Sequence, residues 1–147
     1  MTARRASGQD LASELGTLIF RSRRRVWNAV ASGLGAEEES IFTWQLLLHV
    51  VRRGGASQRE LAEAVAQHPA GVGRALDDLE GRGLVRRRRD PDDRRKLRVE
   101  ATSRGEAHYR KIYPQTVRHM DAALDPLTEA ERVQLRGLLR KLIEEGT

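Results

Sequence analysis

The 147-residue sequence contains no cysteine, and this absence excludes several kinds of chemistry. A chain without thiols has no disulfide framework, thiolate zinc site, cysteine nucleophile or cysteine redox sensor. The absence of disulfides also fits a reducing compartment. The fold must therefore be held together by packing, hydrogen bonds and ion pairs.

Long apolar runs are absent as well. No segment approaches the roughly 20 apolar residues that a membrane-spanning helix needs. The opening MTARRASGQD has no apolar stretch after its arginines, which a secretory signal would have. We therefore expect a cytoplasmic protein that does not associate with a membrane.

Aromatic residues are scarce, at 4% of the chain, whereas hydrophobic residues make up 39%. Aliphatic side chains must therefore form most of the core. A chain of this length folds as one ordinary domain or two thin ones, and the core that it buries is modest in size.

Positive charge is concentrated in one short segment. Residues 82–98 contain nine basic and three acidic side chains, a net charge of +6, whereas the rest of the chain carries 18 of each sign. A compact cationic element on a neutral body is typical of a part that binds phosphates. The alternative is a solvated run of charge, which is the usual state of an isolated arginine run.

Apolar spacing and end signals predict four helices in the first half of the chain. The first begins near Leu11 and ends at Gly33 and Gly35. Ser40 can cap a second helix that ends at Gly54, and because this helix is apolar on most sides we expect it to be buried.

The next two predicted helices are short. Ser57 and Glu60 have the spacing of a capping box, which starts the third helix. His68-Pro69 opens the fourth helix, which extends to about Glu80, because proline is tolerated in a first helical turn. Its predicted inward face consists of Val72, Ala75, Leu76 and Leu79.

A charged β-hairpin is predicted after these helices. Residues 84–89 and 96–101 alternate as strands do, and the turn residues 90–93 lie between them. Two short helices followed by a basic hairpin are typical of a winged helix-turn-helix. The predicted fold is therefore mainly α with a small β-hairpin.

Two more helices are predicted at the end of the chain. Thr102 or Ser103 starts the first of them, in which Pro114 is expected to cause a kink or a break. A capping box at Thr128 and Glu131 starts the last helix. The N- and C-terminal helices carry more apolar surface than a small central core can cover, which indicates a dimer interface.

The ordered motifs resemble the MarR family of bacterial transcription regulators. The resemblance is carried by GGASQRELAEAV and by VGRALDDLEGRGLVRRRRDPDDRRKLRVEATSRG, which ends in a Thr-x-x-Gly from Thr102 to Gly105. It covers about residues 11–145. It implies homodimerisation through helices within 11–35 and 103–145.

The resemblance also implies how the chain binds double-stranded DNA. The winged helix-turn-helix would span residues 40–101. Recognition helix 69–80 would enter the major groove, and wing 84–101 would lie at the minor groove.

Eleven residues are candidate DNA contacts. Arg74 is the one long donor on the outer face of the recognition helix, and the arginine fork matches O6 and N7 of guanine. The alternatives for Arg74 are a phosphate contact or an ion pair with Asp77 or Asp78. By resemblance, Asp93 and Arg95 form an Asp-x-Arg pair, in which the aspartate orients an arginine in the minor groove. The full set is Ser57, Gln58, Ala70, Gly71, Gly73, Arg74, Arg87, Arg89, Asp93, Arg94 and Arg95.

The chain departs from the family pattern at the start of the recognition helix. The family usually has Ser or Thr there, whereas this chain has Ala70, Gly71 and Gly73. These residues donate nothing from their side chains, and each glycine costs roughly 1 kcal/mol of helix stability. Readout is therefore expected to depend on Arg74, the wing and DNA shape. Arg86 to Arg89 are predicted to contact phosphates or to be solvated.

A small aromatic effector is a further expected partner. The resemblance implies repressors that are released by small, often phenolic, ligands, and such sites are mostly apolar with a few polar groups. The alternative for each candidate residue is ordinary core packing. The candidates are Arg24, Trp27, Trp44, His49 and Tyr113.

Other chemistry is weakly represented. His108 and His119 could share a helix face, but Pro114 lies between them and no tight group of three or four ligands is visible, so neither a metal nor a cofactor is expected. No catalytic triad pattern or glycine-rich phosphate loop appears, so we do not expect an enzyme. The sequence predicts a homodimeric, ligand-responsive DNA-binding repressor. The alternative is a winged-helix module that binds protein or RNA without sequence-specific DNA readout.

Overall fold

A computed structural model of the chain describes residues 8–35, 40–65 and 69–144. The chain divides into two compact units, one of residues 1–30 with 118–147 and the other of residues 31–117. In order, the described elements are α1 (Gly8–Leu34), α2 (Ile41–Arg53), β1 (Ala56–Ser57), α3 (Gln58–Ala64), α4 (Pro69–Gly81), β2 (Val85–Arg89), β3 (Leu97–Ala101), α5 (Ser103–Ala123) and α6 (Glu129–Glu144).

The predicted ends of α2 are confirmed. The side chain of Ser40 accepts a hydrogen bond from the backbone N–H of Phe42, which would otherwise have no partner at a helix start. At the other end, Gly54 adopts a left-handed φ of 64° and its N–H closes on the carbonyls of Val50 and Val51. The helix is buried along Thr43, Trp44, Leu46, Leu47 and Val50, as its apolar composition predicts.

The capping box that starts α3 is also confirmed. Ser57 Oγ accepts from the N–H of Glu60 at 3.1 Å, and the Glu60 carboxylate accepts from the N–H of Ser57 at 2.7 Å. The hydrogen bond from the backbone N–H of Ser57, and then one from its side chain, hold the pKa of the Glu60 carboxyl below its ordinary value. The carboxylate is therefore charged at neutral pH, and its negative charge interacts favourably with the positive end of the helix dipole.

The sheet has one strand more than the sequence predicts. Two residues, Ala56 and Ser57, form β1 and pair antiparallel with β3, opposite Val99 and Arg98. The strand order is β1-β3-β2. A two-residue strand has no alternation to detect, so the sequence indicates only the hairpin of β2 and β3.

The core of the unit 31–117 is aliphatic. The predicted inward face of α4 is confirmed, since Val72, Leu76 and Leu79 are fully buried and Ala75 is nearly so. Side chains from α2, α3, both hairpin strands and α5 complete it. They include Leu46, Leu47, Leu61, Val85, Val99 and Ile112.

The Thr-x-x-Gly motif joins the wing to α5. Thr102 donates from Oγ1 to the Gly83 carbonyl at 2.6 Å and from its N–H to the Leu84 carbonyl at 3.1 Å. Its Oγ1 also accepts from the N–H of Gly105 at 3.0 Å, which caps α5. A Cβ on Gly105 would lie 1.9 Å from the Leu84 carbonyl oxygen, so only glycine allows this approach.

Helix α5 continues through Pro114, so the expected break is wrong. Proline removes one N–H from the ladder, but the flanking turns keep their helical hydrogen bonding. Ile112 and Thr116, which flank Pro114, are both fully buried.

The terminal unit, residues 1–30 with 118–147, leaves much apolar surface exposed. The N-terminal capping box of α6 is confirmed, with Thr128 and Glu131 exchanging hydrogen bonds at 2.8 and 3.3 Å. No described residue of α6 is buried. The large exposed apolar side chains of this unit include Leu11, Leu15, Leu18, Ile19, Phe20, Val133, Leu138, Leu139, Leu142 and Ile143. Among the described helices, none has both the length and the hydropathy needed to cross a membrane.

Candidate nucleic-acid interface

The outward face of α4 is open to solvent. Ala70 and Arg74 are exposed, and Gly71 and Gly73 are partly exposed. The sequence allowed an ion pair between Arg74 and Asp77 or Asp78, but the two carboxylates pair with other arginines. Asp77 pairs with Arg87 at 2.8 Å, and Asp78 pairs with Arg82 at 3.3 Å. The Arg74 side chain is thus left on the surface beside the glycine-rich first turns of α4.

The glycine at position 73 makes room for a side chain of α3. A Cβ on Gly73 would lie 3.1 Å from Nε2 of Gln58, so the Gln58 amide rests against the backbone of α4. Gly73, one of the small residues that depart from the family pattern, therefore has a packing consequence. It brings Gln58 close to the backbone of the candidate recognition helix.

Arg87, which belongs to strand β2 of the wing, points toward α4. Its guanidinium contacts Asp77 at 2.8 Å and Glu80 at 3.5 Å, and it donates to the Gly73 carbonyl at 3.2 Å. The backbone N–H of Arg87 donates to the Glu80 carboxylate at 2.9 Å. Only 20% of the Arg87 side chain is exposed, so the residue fastens β2 to α4. The DNA contact predicted for Arg87 stays a prediction.

The wing tip, residues 90–96 between β2 and β3, is stabilised by the carboxylate of Asp90, which is not among the DNA contacts predicted from the sequence. Asp90 Oδ1 accepts from the N–H groups of Asp92 at 2.8 Å and Asp93 at 3.2 Å, which lowers the pKa of Asp90. The N–H of Asp90 donates to the Lys96 carbonyl at 2.9 Å and closes the loop. The Asp-Pro signal predicted a turn here, but it did not identify which carboxylate organises it.

The predicted pair of Asp93 and Arg95 lies together at this tip. Asp93 Oδ1 accepts from the backbone N–H of Arg95 at 3.1 Å and lies 3.5 Å from its Nε. The Arg95 side chain is 95% exposed, so it projects into solvent from a fixed turn. Arg89 donates to the backbone carbonyl of Arg94 at 2.8 Å. The Arg94 side chain is exposed, next to Arg95 in the chain.

The remaining hairpin cations have partners within the fold. Glu100 lies 3.4 Å from Arg86 and 3.9 Å from Arg88 across the strands. Arg98 reaches the carbonyls of Gly54 and Gly55 at 3.4 Å. At the tip, Arg94 and Lys96 are exposed, and Arg95 keeps a 95% exposed side chain although it contacts Asp93.

The candidate effector residues are found in two kinds of surroundings. In the unit 31–117, Trp44 is buried and stacks on Tyr109 at 5.6 Å, and Tyr109 stacks on Tyr113 at 5.1 Å. Arg52 covers the Tyr113 ring and donates to its hydroxyl at 2.7 Å. These contacts are those of a packed aromatic ladder.

His49 is half-buried on α2. Burial, and then the charges of Arg53 and Arg52, lower the pKa of His49. It is therefore neutral at pH 7. In the terminal unit, Trp27 is partly exposed with Arg23 over its ring at 5.2 Å, and Arg24 is exposed.

Residues 8–35, 40–65 and 69–144 contain no group of three metal-ligating side chains. His68 lies outside the described residues. The geometry that does stand out is a glycine-rich helix face beside a wing whose tip is closed by hydrogen bonds and carries exposed arginines.

Comparison with known proteins identifies this arrangement. A sequence model of the MarR family matches residues 40–96, from the start of α2 to the end of the wing tip. The HTH-type transcriptional repressor NicR of Pseudomonas putida is 36% identical over 136 residues, which cover 92% of this chain and 85% of the relative. This chain belongs to the MarR family. It is a MarR-family transcriptional regulator, and its relatives are regulators, not enzymes.

Solved structures share the MarR fold over nearly the whole chain. A mutant MarR from E. coli complexed with operator DNA has a TM-score of 0.78 at 21% identity, covering 92% of this chain and 98% of that one. A second solved structure is Bordetella bronchiseptica BpsR, whose DNA binding is regulated by 6-hydroxynicotinic acid. It has a TM-score of 0.77 at 24% identity, and the match covers 97% of both chains. The winged helix-turn-helix fold is therefore confirmed.

Proposed function

We propose that this MarR-family regulator is a homodimeric, ligand-responsive repressor that binds a pseudo-palindromic DNA duplex. Helix α4 would lie in the major groove, and the hairpin of β2 and β3 would lie at the minor groove. The observation that carries the proposal is the wing tip, where Asp93 contacts an Arg95 that is 95% exposed. An arginine projecting from a rigid loop suits the negative potential of a narrow minor groove.

The role of α4 follows from its exposed face. Arg74 has no charged partner at Asp77 or Asp78, so its guanidinium is available for a base edge or a phosphate. The bases would approach the backbone closely at Gly71, where a Cβ would meet open space, whereas the Gln58 amide lies against Gly73. The N-terminal turn of α3, with Ser57 and Gln58, would lie beside the phosphate backbone.

We propose that two copies of the chain dimerise through their terminal units. Leu11, Leu15 and Leu18 of α1 are each about half exposed, and α6 presents a second apolar row that includes Leu138 and Leu142. A surface this apolar is typical of an interface in a soluble protein. A two-fold dimer would place two copies of α4 on one side of the DNA, one per half-site.

The repressor and effector assignments rest on the relatives. NicR is named a repressor, and 6-hydroxynicotinic acid is named for BpsR. A small aromatic effector is proposed here by analogy. The residues Arg24, Trp27, Trp44, His49 and Tyr113 stay a prediction for its site.

Selection of bound duplexes from a random DNA pool tests the proposal. We expect the enriched sequences to contain two inverted half-sites whose centres are about 10 base pairs apart, or a multiple of this spacing, as two-fold symmetry requires. A single unrepeated site would contradict the dimer. Equal capture of RNA competitor would favour the alternative of a module without sequence-specific DNA readout.

Salt dependence measures the contribution of the basic wings. With two wings and six or more phosphate contacts, affinity should fall about a thousandfold between 50 and 200 mM salt, with a log–log slope of about −0.9 per contact. A fluorescence-anisotropy titration over this range gives the slope. A nearly flat line would show that the wings do not contact the DNA backbone.

Replacement of Arg74 separates base reading from phosphate contact. Arg74→Ala is expected to relax the preference at particular base pairs by about 1–3 kcal/mol for a lost bidentate contact. Repeating the duplex selection with the variant measures this loss. Arg94→Ala, which removes an exposed wing-tip cation, is the control and should weaken all duplexes alike. If both variants lose affinity for specific and random DNA equally, Arg74 is a phosphate contact.

A further inference from the structure

One side chain of the wing contacts α4 along two of its turns. The Arg87 guanidinium donates to the Gly73 carbonyl at 3.2 Å, and it lies 2.8 Å from Asp77 and 3.5 Å from Glu80. These three positions follow the spacing i, i+4, i+7, which places them in one row along a helix. The contact therefore extends from the second turn of α4 to its last.

Two different nitrogen atoms of Arg87 make these contacts. Nη2 donates to the helix carbonyl, whereas Nη1 lies against the two carboxylates. A planar guanidinium presents donors on both sides of its fork, so it can bind a carbonyl and a carboxylate at once. A lysine has one compact ammonium group and does not reproduce this geometry.

The part of α4 that Arg87 reaches is weakly helical by composition. The helix begins with the sequence PAGVG, in which two of five residues are glycine. After proline, glycine is the poorest helix former, because it loses the most backbone freedom when it becomes ordered. A helix of 13 residues is marginal without support from its neighbours.

Gly73 is supported from two neighbouring elements. On one side, the Gln58 amide of α3 lies so close that a Cβ on Gly73 would be 3.1 Å from its Nε2. On the wing side, Arg87 binds the Gly73 carbonyl. The second turn of α4 is thus held through its backbone, at a residue that has no side chain of its own to pack.

The surroundings of Arg87 favour a role inside the fold over a phosphate contact. Its side chain is 20% exposed, whereas those of Arg86 and Arg88 on the same strand are 52% and 60% exposed. To bind a phosphate, the guanidinium would have to give up acceptors that it already has. The carboxylates of Asp77 and Glu80 beside it would also repel the phosphate.

We propose that Arg87 is a positioning residue, which keeps the glycine-rich first half of α4 helical and fixes α4 against the wing without contacting DNA itself. Small residues leave the outer face of α4 open for a close approach of the bases, but they also weaken the helix. Arg87 supplies the missing order from the wing. The consequence for DNA binding rests on the proposed function, whereas the support of α4 does not.

Hydrogen exchange of the full chain without DNA, followed for each backbone amide by NMR, tests the support of α4. In Arg87→Met, the amides of residues 73–77 are expected to exchange about tenfold faster, because a charge-assisted hydrogen bond to the helix is lost. The amides of α2 should keep their rates. Arg88→Met is the matched control, since Arg88 lies on the other face of β2, and it should leave the α4 amides unchanged.

Three further variants keep the test informative if Arg87→Met does not fold. Arg87→Lys keeps the charge but not the fork, so it should lose most of the protection. Asp77→Asn removes one acceptor from a 68% exposed position and should speed exchange severalfold in the same turns. Gly71→Ala, combined with Arg87→Lys, should restore protection, because alanine favours the helix and its Cβ would meet open space.

Several exchange results would overturn the role. Unchanged α4 amides in the Arg87 variants would show that the helix does not need this contact. Equal acceleration in α2 would mean a general loosening of the fold, and parental rates in Arg87→Lys would mean that charge alone suffices. No recovery with Gly71→Ala would show that Arg87 does not act on the order of this helix.

DNA titrations over the salt range used for the parent test the consequence. Arg87→Lys is expected to bind a selected duplex about tenfold more weakly, because α4 must then be ordered on binding. Its log–log salt slope should equal that of the parent, whereas Arg94→Ala should reduce the slope by about 0.9.

The titrations separate the two proposals. Parental affinity in Arg87→Lys would be the result for a phosphate contact that lysine can replace, and a slope reduced by about 0.9 in Arg87→Met would indicate the same contact. Either result would overturn the positioning role. A parent chain that binds no duplex, while its α4 amides respond as described, would overturn the proposed function and leave the support of α4 by Arg87 in place.

Discussion

Gly105→Ala is expected to destabilise the fold by about 3 kcal/mol, the upper end of what overpacking costs. The new Cβ would lie 1.9 Å from the Leu84 carbonyl oxygen and 2.9 Å from its carbon. Both atoms belong to backbone, so no side-chain rotation can relieve the clash. Moving α5 away would also weaken the hydrogen bonds of Thr102 to Gly83 and Leu84, at 2.6 and 3.1 Å. Urea denaturation followed by circular dichroism measures the loss.

Gly71→Ala is the matched control for stability. Apart from the adjacent residues and the nearby backbone of α4 itself, no heavy atom of the described residues lies within 4 Å of the position of a Gly71 Cβ. Alanine is a better helix former, so this substitution should be neutral or should stabilise α4 by up to about 1 kcal/mol. If the two variants unfold at the same urea concentration, the junction between the wing and α5 is looser than the geometry indicates.

Asp93→Ala is expected to weaken DNA binding about tenfold, although it removes a negative charge from a DNA-binding loop. Asp93 accepts from the N–H of Arg95 at 3.1 Å and lies 3.5 Å from its Nε, so it restricts where the guanidinium points. Ordering a free arginine costs up to about 2 kcal/mol of rotamer entropy. In the variant, the Arg95 side chain must lose this rotamer entropy when it binds DNA, which weakens the affinity. Fluorescence anisotropy with a selected duplex measures the change.

Asp92→Ala is the control for charge. Asp92 is exposed, and its role in the turn is that its backbone N–H donates to Asp90. Losing this carboxylate should leave DNA affinity equal or improve it, because the phosphate backbone repels acidic groups. Tighter binding by Asp93→Ala as well would make that residue a plain turn former, and the orienting role would be wrong.

The helices could be read from the sequence because their signals are local. Ser40 and Gly54 bound α2 through contacts within a few residues, and the Ser57–Glu60 box starts α3 in the same way. Spacing along α4 identified its buried face before any packing was known. These features depend on neighbours along the chain, which the sequence lists in order.

The sequence predicts neither β1 nor the unbroken course of α5 at Pro114, because distant neighbours decide both. Helix α5 continues across Pro114 where Ile112 and Thr116 pack on either side. Ala56 and Ser57 become a strand only because β3 passes beside them. Local preference favoured another outcome in each case, and tertiary contacts were stronger.

The sequence by itself determined the winged helix-turn-helix, its caps and the basic hairpin, because each depends on spacing of a few residues. The pairing of Asp93 with Arg95 was implied by the resemblance to the MarR family. Only the tertiary structure decided which partners the hairpin arginines have within the fold. Arg87 lies on the same strand face as buried Val85, against α4, so Asp77 and Glu80 become its partners. Burial and ion pairing depend on which elements meet in space, and a run of four identical arginines carries no information about that.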